Sequence, residues 1–102
     1  MTMTSKDRAA LRGEAHHLSA AVHIGHLGLT PNVIETVDDA LRTRELVKIQ
    51  LAKTTDETPK AAANRLAEAT SAEVVQVIGR TCTLYRWNPD LTRKNGVPPW
   101  RS

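Results

Sequence analysis

Apolar positions along the chain fall into two rhythms, and the rhythms predict seven elements. Leu11, Ala15 and Leu18 recur at helical spacing, and Thr4 or Ser5 can cap the helix they predict. A second helix opens at Thr30-Pro31, where threonine caps the free amides and proline takes the first helical position. Val33, Ile34, Val37 and Leu41 form its stripe, and Arg42 and Arg44 lie near its end, where the helix dipole favours cations. Thr58-Pro59 repeats the signal and predicts a third helix to about Thr70, with Ala62, Leu66 and Ala69 on its core side. Between the helices the rhythm shortens. Ala21 to Ile24 reads as a short strand. In Leu46 to Ala52, Val47, Ile49 and Leu51 alternate with Lys48 and Gln50, the pattern of a strand buried on one face. Val74 to Ile78 and Cys82 to Trp87 flank Gly79-Arg80 and read as an antiparallel hairpin. The expected order is α-β-α-β-α-β-β. Two β-α-β units imply crossover connections, and the hairpin makes the sheet mixed. The fold class is α/β: one compact domain, a four-stranded mixed sheet and three helices.

Composition narrows the function classes. The chain has 102 residues, enough for one core, with 40% hydrophobic and 25% charged residues. One cysteine, Cys82, excludes an intrachain disulfide framework. No apolar run reaches the length of a bilayer span, and the N-terminus lacks a signal-peptide pattern, so the expected location is the cytoplasm. The folded domain is expected over 1–88. Residues 89–102, with Pro89, Pro98, Pro99, Arg93, Lys94 and Arg101, read as a basic, flexible tail. The net charge of +3 permits a polyanionic partner without demanding one. Aromatic residues are only 3%, too few for a sheet that stacks several bases. Backbone and shape contacts should therefore carry any nucleic-acid affinity.

The loop Gly25-His26-Leu27-Gly28 is the most informative motif. Two glycines let backbone approach a ligand closely, and the helix behind them offers amides and a positive dipole end, a natural phosphate site. On spacing alone, two glycines three apart make a plain turn as often as a site. The loop is not a P-loop, because Leu29 and Thr30 stand where Lys-Ser/Thr would follow, and it lacks the third glycine of the dinucleotide fingerprint. Arg8, Arg12 and His16 form a basic stripe on the first helix. His16, His17, His23 and His26 have no zinc-site spacing, so no metal is expected. Cys82 lies in an apolar strand, and the consecutive Asp38 and Asp39 do not converge. No catalytic residues and no cofactor are expected, and the chain reads as a non-enzyme.

Four blocks then match a known family. Leu11-Arg12-Gly13-Glu14-Ala15-His16-His17-Leu18, Ile24-Gly25-His26-Leu27-Gly28-Leu29-Thr30, Glu45-Leu46-Val47-Lys48-Ile49 and Val75 through Arg86 resemble, in this order, the CRM (chloroplast RNA splicing and ribosome maturation) domain, in particular the stand-alone bacterial YhbY-like members. The resemblance implies a fold similar to the C-terminal domain of translation initiation factor three, and it implies RNA binding. Bacterial members are associated with precursors of the large ribosomal subunit. It places the RNA-binding loop on Gly25, His26, Leu27 and Gly28 and the basic surface on Arg8 and Arg12, with Lys48, Arg80 and Arg86 added. Many members carry lysine inside the loop; His26-Leu27 stands there instead, which suggests a backbone-amide cradle. The expected function is an assembly factor docking on ribosomal RNA, with steeply salt-dependent affinity. The alternative is a protein-protein adaptor acting through its sheet face or tail. Oligomeric state is left open.

Overall fold

Each helix starts on a threonine. The structure is a computed structural model and describes residues 4–88. The tail expected over 89–102 lies outside the described residues. Helix α1 spans Ser5–Ala15, α2 Pro31–Arg44 and α3 Pro59–Thr70. The hydroxyls of Thr4, Thr30 and Thr58 accept the amides of Asp7, Val33 and Ala61, each three residues on. At α1 the Asp7 carboxylate accepts the Thr4 amide in return, which completes a capping box. The cap left open between Thr4 and Ser5 therefore belongs to Thr4.

The strands are β1 (Val22–Ile24), β2 (Leu46–Leu51), β3 (Glu73–Ile78) and β4 (Thr81–Tyr85). Element order and class agree with the sequence pattern. The strands form one mixed sheet in the order β1-β2-β4-β3. β1 and β2 are parallel, joined by the α2 crossover, while β4 runs antiparallel to both of its neighbours. β3 therefore does not pair with β2; the hairpin folds β4 back into the gap between them. Gly79 takes φ +56 and Arg80 does not have a positive φ, the pattern of a type II′ turn, whose twist suits a two-residue hairpin.

Helices α2 and α3 cover one face. Val37, Leu41, Ala62, Ala63, Leu66 and Ala67 meet Ile24, Val47, Ile49, Leu51, Cys82 and Leu84 there. One expectation needs correcting. Ala63 and Ala67 are buried beside Ala62 and Leu66, but Ala69 is exposed. Alanines at adjacent positions are equally apolar, so hydrophobicity alone cannot fix how this helix rotates. Ala69 instead lines a cleft of about 300 Å³ with Leu29, Ile34, Arg65 and Glu68. Cys82 is fully buried, and burial pushes its thiol up to about 11. At neutral pH it is a core side chain, not a nucleophile.

Helix α1 covers part of the other face. Leu11 packs with Leu46 and Val75, and Leu18 and Tyr85 flank this smaller cluster. A bulge between Val74 and Gln76 makes the double burial of β3 possible. The extra residue, Val75, joins the α1 side, while Val74 and Val77 pack on the α2–α3 side. Among the described residues, no helix is long and apolar enough to cross a membrane, and no group of three His, Cys, Asp or Glu is placed to hold a metal.

Candidate nucleic-acid interface

β1 ends at Ile24, and the chain turns at once. The Gly28 amide donates to the Gly25 carbonyl at 3.1 Å, and the Thr30 amide donates to the Gly28 carbonyl at 3.0 Å. Gly28 takes φ +71, a region that costs an L-residue roughly 1–2 kcal/mol. The backbone itself demands that glycine. Gly25 is different. Its φ is not positive, and a Cβ built there would meet nothing within 4 Å. Neither conformation nor packing requires glycine at 25. A methyl there would change only the outer surface. His26 and Leu27 form the tip, and Leu27 is 76% exposed. Among the described residues, the amides of His26, Leu27 and Leu29 have no protein partner.

The start of α2 adds less than its sequence promises. A helix leaves four amides unpaired at its start. Here the Thr30 amide bonds the Gly28 carbonyl, Pro31 has no N–H, and the Val33 amide is taken by the Thr30 hydroxyl. The Asn32 amide remains, together with the positive end of the dipole. The loop amides supply the rest of the donor surface.

This loop is held from behind. Thr55 is buried in the turn after β2, and its hydroxyl donates to the Gly25 carbonyl at 2.8 Å, with the Ile24 carbonyl at 3.3 Å. Arg80, in the β3–β4 turn, fixes the segment that carries Thr55. Its Nε donates to the carbonyls of Leu51 and Ala52, and its Nη2 to those of Ala52 (2.6 Å) and Thr55 (3.4 Å). Thr55→Val keeps the shape and removes the hydroxyl. It is expected to cost about 1 kcal/mol of stability. Amide NMR shifts should then concentrate at residues 25 to 28. Shifts confined to the turn after β2 would show that Thr55 does not set the loop.

Most of the other predicted cations are also bonded internally. Lys48 Nζ donates to the carbonyls of Ala15 (3.3 Å) and Leu18 (3.2 Å), closing the C-terminal end of α1. Arg8 donates through Nη1 to the Val74 carbonyl and ties α1 to the edge strand β3. Arg86 Nη1 reaches Asp38 Oδ1 at 2.6 Å and the Thr70 carbonyl at 2.7 Å, while Nη2 reaches the Asp38 carbonyl at 3.1 Å. Three elements meet on that one guanidinium. The hydrogen bond from Arg86 holds the Asp38 carboxyl below its ordinary value, against the opposing effect of burial. Arg12 is exposed, and among the described residues its head group bonds no protein atom. The site residues thus separate into an outward group, residues 25–28 with Arg12, and an inward group, Arg8, Lys48, Arg80 and Arg86. His23 and Gln50 pair across β1 and β2 and are exposed on the α1 side of the sheet, beside the start of the loop.

No sequence signal points to the partners of the inward group. Thr55 lies in a turn without a motif, and Asp38 stands 48 residues from Arg86. Glu45 adds a further tie. It is fully buried at the end of α2 with φ 65, its Oε2 accepts the Asn88 amide at 2.5 Å, and its carbonyl accepts the Arg86 amide at 2.9 Å.

The same residues fall inside a known domain: the model of the CRS1 / YhbY (CRM) domain matches residues 3–86. The chain belongs to the CRM domain family. An RNA-binding protein of Haemophilus influenzae is 38% identical over 85 residues, covering 83% of this chain and 86% of its own length. Bacillus subtilis YqeI, whose name also proposes RNA binding, is 33% identical over 84 residues, covering 82% and 88%. A Staphylococcus aureus protein with a solution structure, named a candidate RNA binder, superposes with a TM-score of 0.76 at 35% identity, covering 89% of this chain and 95% of that one. The CRM match takes in all seven elements, the glycine loop and the whole inward group.

Proposed function

We propose that this CRM domain binds RNA, and that it docks on ribosomal RNA within large-subunit precursors as a cytoplasmic assembly factor. No covalent bond is made or broken. The observation that carries the reading is Gly25, a glycine that the fold does not need, on an exposed loop where the amides of His26, Leu27 and Leu29 have no protein partner. Its missing side chain leaves room for a sugar-phosphate backbone to lie against the loop. The names of the relatives support RNA as the partner. Loop amides and the Asn32 amide contact phosphate, Leu27 lies against the ribose or base, and Arg12 adds a permanent charge. Arg8, Lys48, Arg80 and Arg86 act behind that surface as struts. The proposed RNA-binding unit is 1–88, followed by the basic residues of 89–102.

Two alanine variants test the surface. Gly25→Ala is expected to change stability by no more than about 0.5 kcal/mol and to weaken RNA binding severalfold. Gly28→Ala is expected to lose roughly 1–2 kcal/mol of stability, because its φ is positive. Thermal melts and anisotropy titrations with a ribosomal RNA fragment measure both. Full affinity in Gly25→Ala would remove the loop from the interface. Crosslinking in cells and sequencing of the attached RNA tests the target. Enrichment of large-subunit sequences is expected, and a partner that survives RNase digestion without RNA would support the adaptor reading instead.

A further inference from the structure

Two of the chain's three aromatic residues, Tyr85 and Trp87, meet in one cleft. The cleft measures about 480 Å³ and is lined by Ser71, Ala72, Glu73, Tyr85, Arg86 and Trp87. Tyr85 pairs with Leu46 and Glu73, at the end of the sheet opposite the glycine loop. Five residue steps of β2 separate the two ends, roughly 17 Å. Trp87 is 49% exposed although it is the largest side chain of the described residues, and nothing in the core uses its outer face. Glu73 and Arg86 bring opposite charges to the wall, and Arg86 is already bonded to Asp38 and Thr70. With Arg86 neutralised by Asp38, Glu73 leaves the lining with one net negative charge. A phosphate would be repelled by the Glu73 carboxylate. A flat ring that carries an amino donor fits both the aromatic wall and the carboxylate.

We propose that this cleft takes one unpaired nucleobase of the bound RNA, stacked on Trp87 with its amino group toward Glu73. The inference rests on the RNA reading above. It adds a base-contacting site, distinct from the backbone-contacting loop, on a domain whose composition rules out a broad stacking platform. Glu73 brings acceptors and no donor, and its Oε2 is buried without a hydrogen-bond partner. Adenine, cytosine or guanine, each with an amino group, supplies a donor. Uracil has no amino group, and its one donor on that edge, N3–H, is flanked on both sides by carbonyl oxygens that the carboxylate repels.

The test uses the full chain with Trp100→Phe, so that Trp87 is the one indole, and single-stranded five-residue oligoadenylate, oligocytidylate and oligouridylate. Indole quenching is expected with the first two at several-fold lower concentration than with oligouridylate. By anisotropy with labelled oligoadenylate, Trp87→Ala should lose roughly tenfold in affinity, while Trp87→Phe keeps most of it. Glu73→Gln, which can donate as well as accept, should erase the discrimination against uracil. Equal affinity in Trp87→Ala, or equal quenching by all three oligomers, overturns the proposal. Quenching by arginine amide in preference to the oligomers overturns it in favour of a basic peptide. A structured ribosomal RNA fragment is titrated in parallel. If that RNA binds and Trp87→Ala changes nothing, the cleft assignment alone fails; if no RNA of either kind binds, the RNA reading falls with it.

Discussion

Arg86→Ala is expected to lower folding stability by about 2–3 kcal/mol, with little effect on RNA affinity of the molecules that remain folded. The reason is the position of the guanidinium. It joins β4 to α2 through Asp38 and to α3 through the Thr70 carbonyl, and it is only 22% exposed. Removing it leaves the Thr70 carbonyl unpaired and the half-buried Asp38 carboxylate with only the exposed Arg42 as partner, and breaking a fully buried pair costs more still, about 3–5 kcal/mol. The sign of the pH dependence follows from Asp38. Its folded value is depressed below that of the unfolded chain. The pair therefore contributes fully above the unfolded value, about pH 4, and its contribution is lost as pH falls through the folded value. Urea denaturation at pH 7 and at pH 3 should show a wide gap between wild type and variant that narrows in acid. A variant as stable as wild type, but with weakened RNA binding, would move Arg86 from the scaffold to the interface.

The salt dependence of binding should be shallower than the sequence suggests. Each phosphate neutralised by a protein cation adds about 0.7–0.9 to the slope of log affinity against log salt. Five cations on the RNA would weaken binding more than about a hundredfold between 50 and 200 mM salt. Four of the five are bonded to carbonyls or a carboxylate of the protein, which leaves Arg12 and the partial charge of the α2 dipole. The expected loss over that range is about three- to twelvefold, and Arg12→Ala should flatten the slope by about one phosphate. A hundredfold loss, unchanged in Arg12→Ala, would return Lys48, Arg80 or Arg86 to the RNA surface.

Much of the fold is legible in the chain because its signals are local. Threonine followed by proline marks two helix starts, and alternation marks β2. The insertion of β4 between β2 and β3 is not local: the pairs Val47 with Leu84 and Ile49 with Cys82 lie far apart in sequence. At the site, Gly25 and Gly28 are visible as a pair, yet one serves the backbone and the other an outer surface. That difference is a matter of φ and space. Charge is legible only in part. Lys48 and Arg80 read as ligands for phosphate, and the structure adds bonds from both to protein carbonyl oxygens, which belong to residues that no pattern brings close.

The support of the glycine loop has a temporal side. Thr55 holds the loop, but Arg80, which holds the segment carrying Thr55, arrives 25 residues later, in the turn before the central strand. During synthesis, the first β-α-β unit leaves the ribosome with its loop unbraced and the middle of its sheet vacant. Closure waits for the last strand, which must slot between two earlier ones, a pairing dominated by distant contacts. A nascent chain thus acquires its braced glycine loop late, once nearly all of the domain has been made.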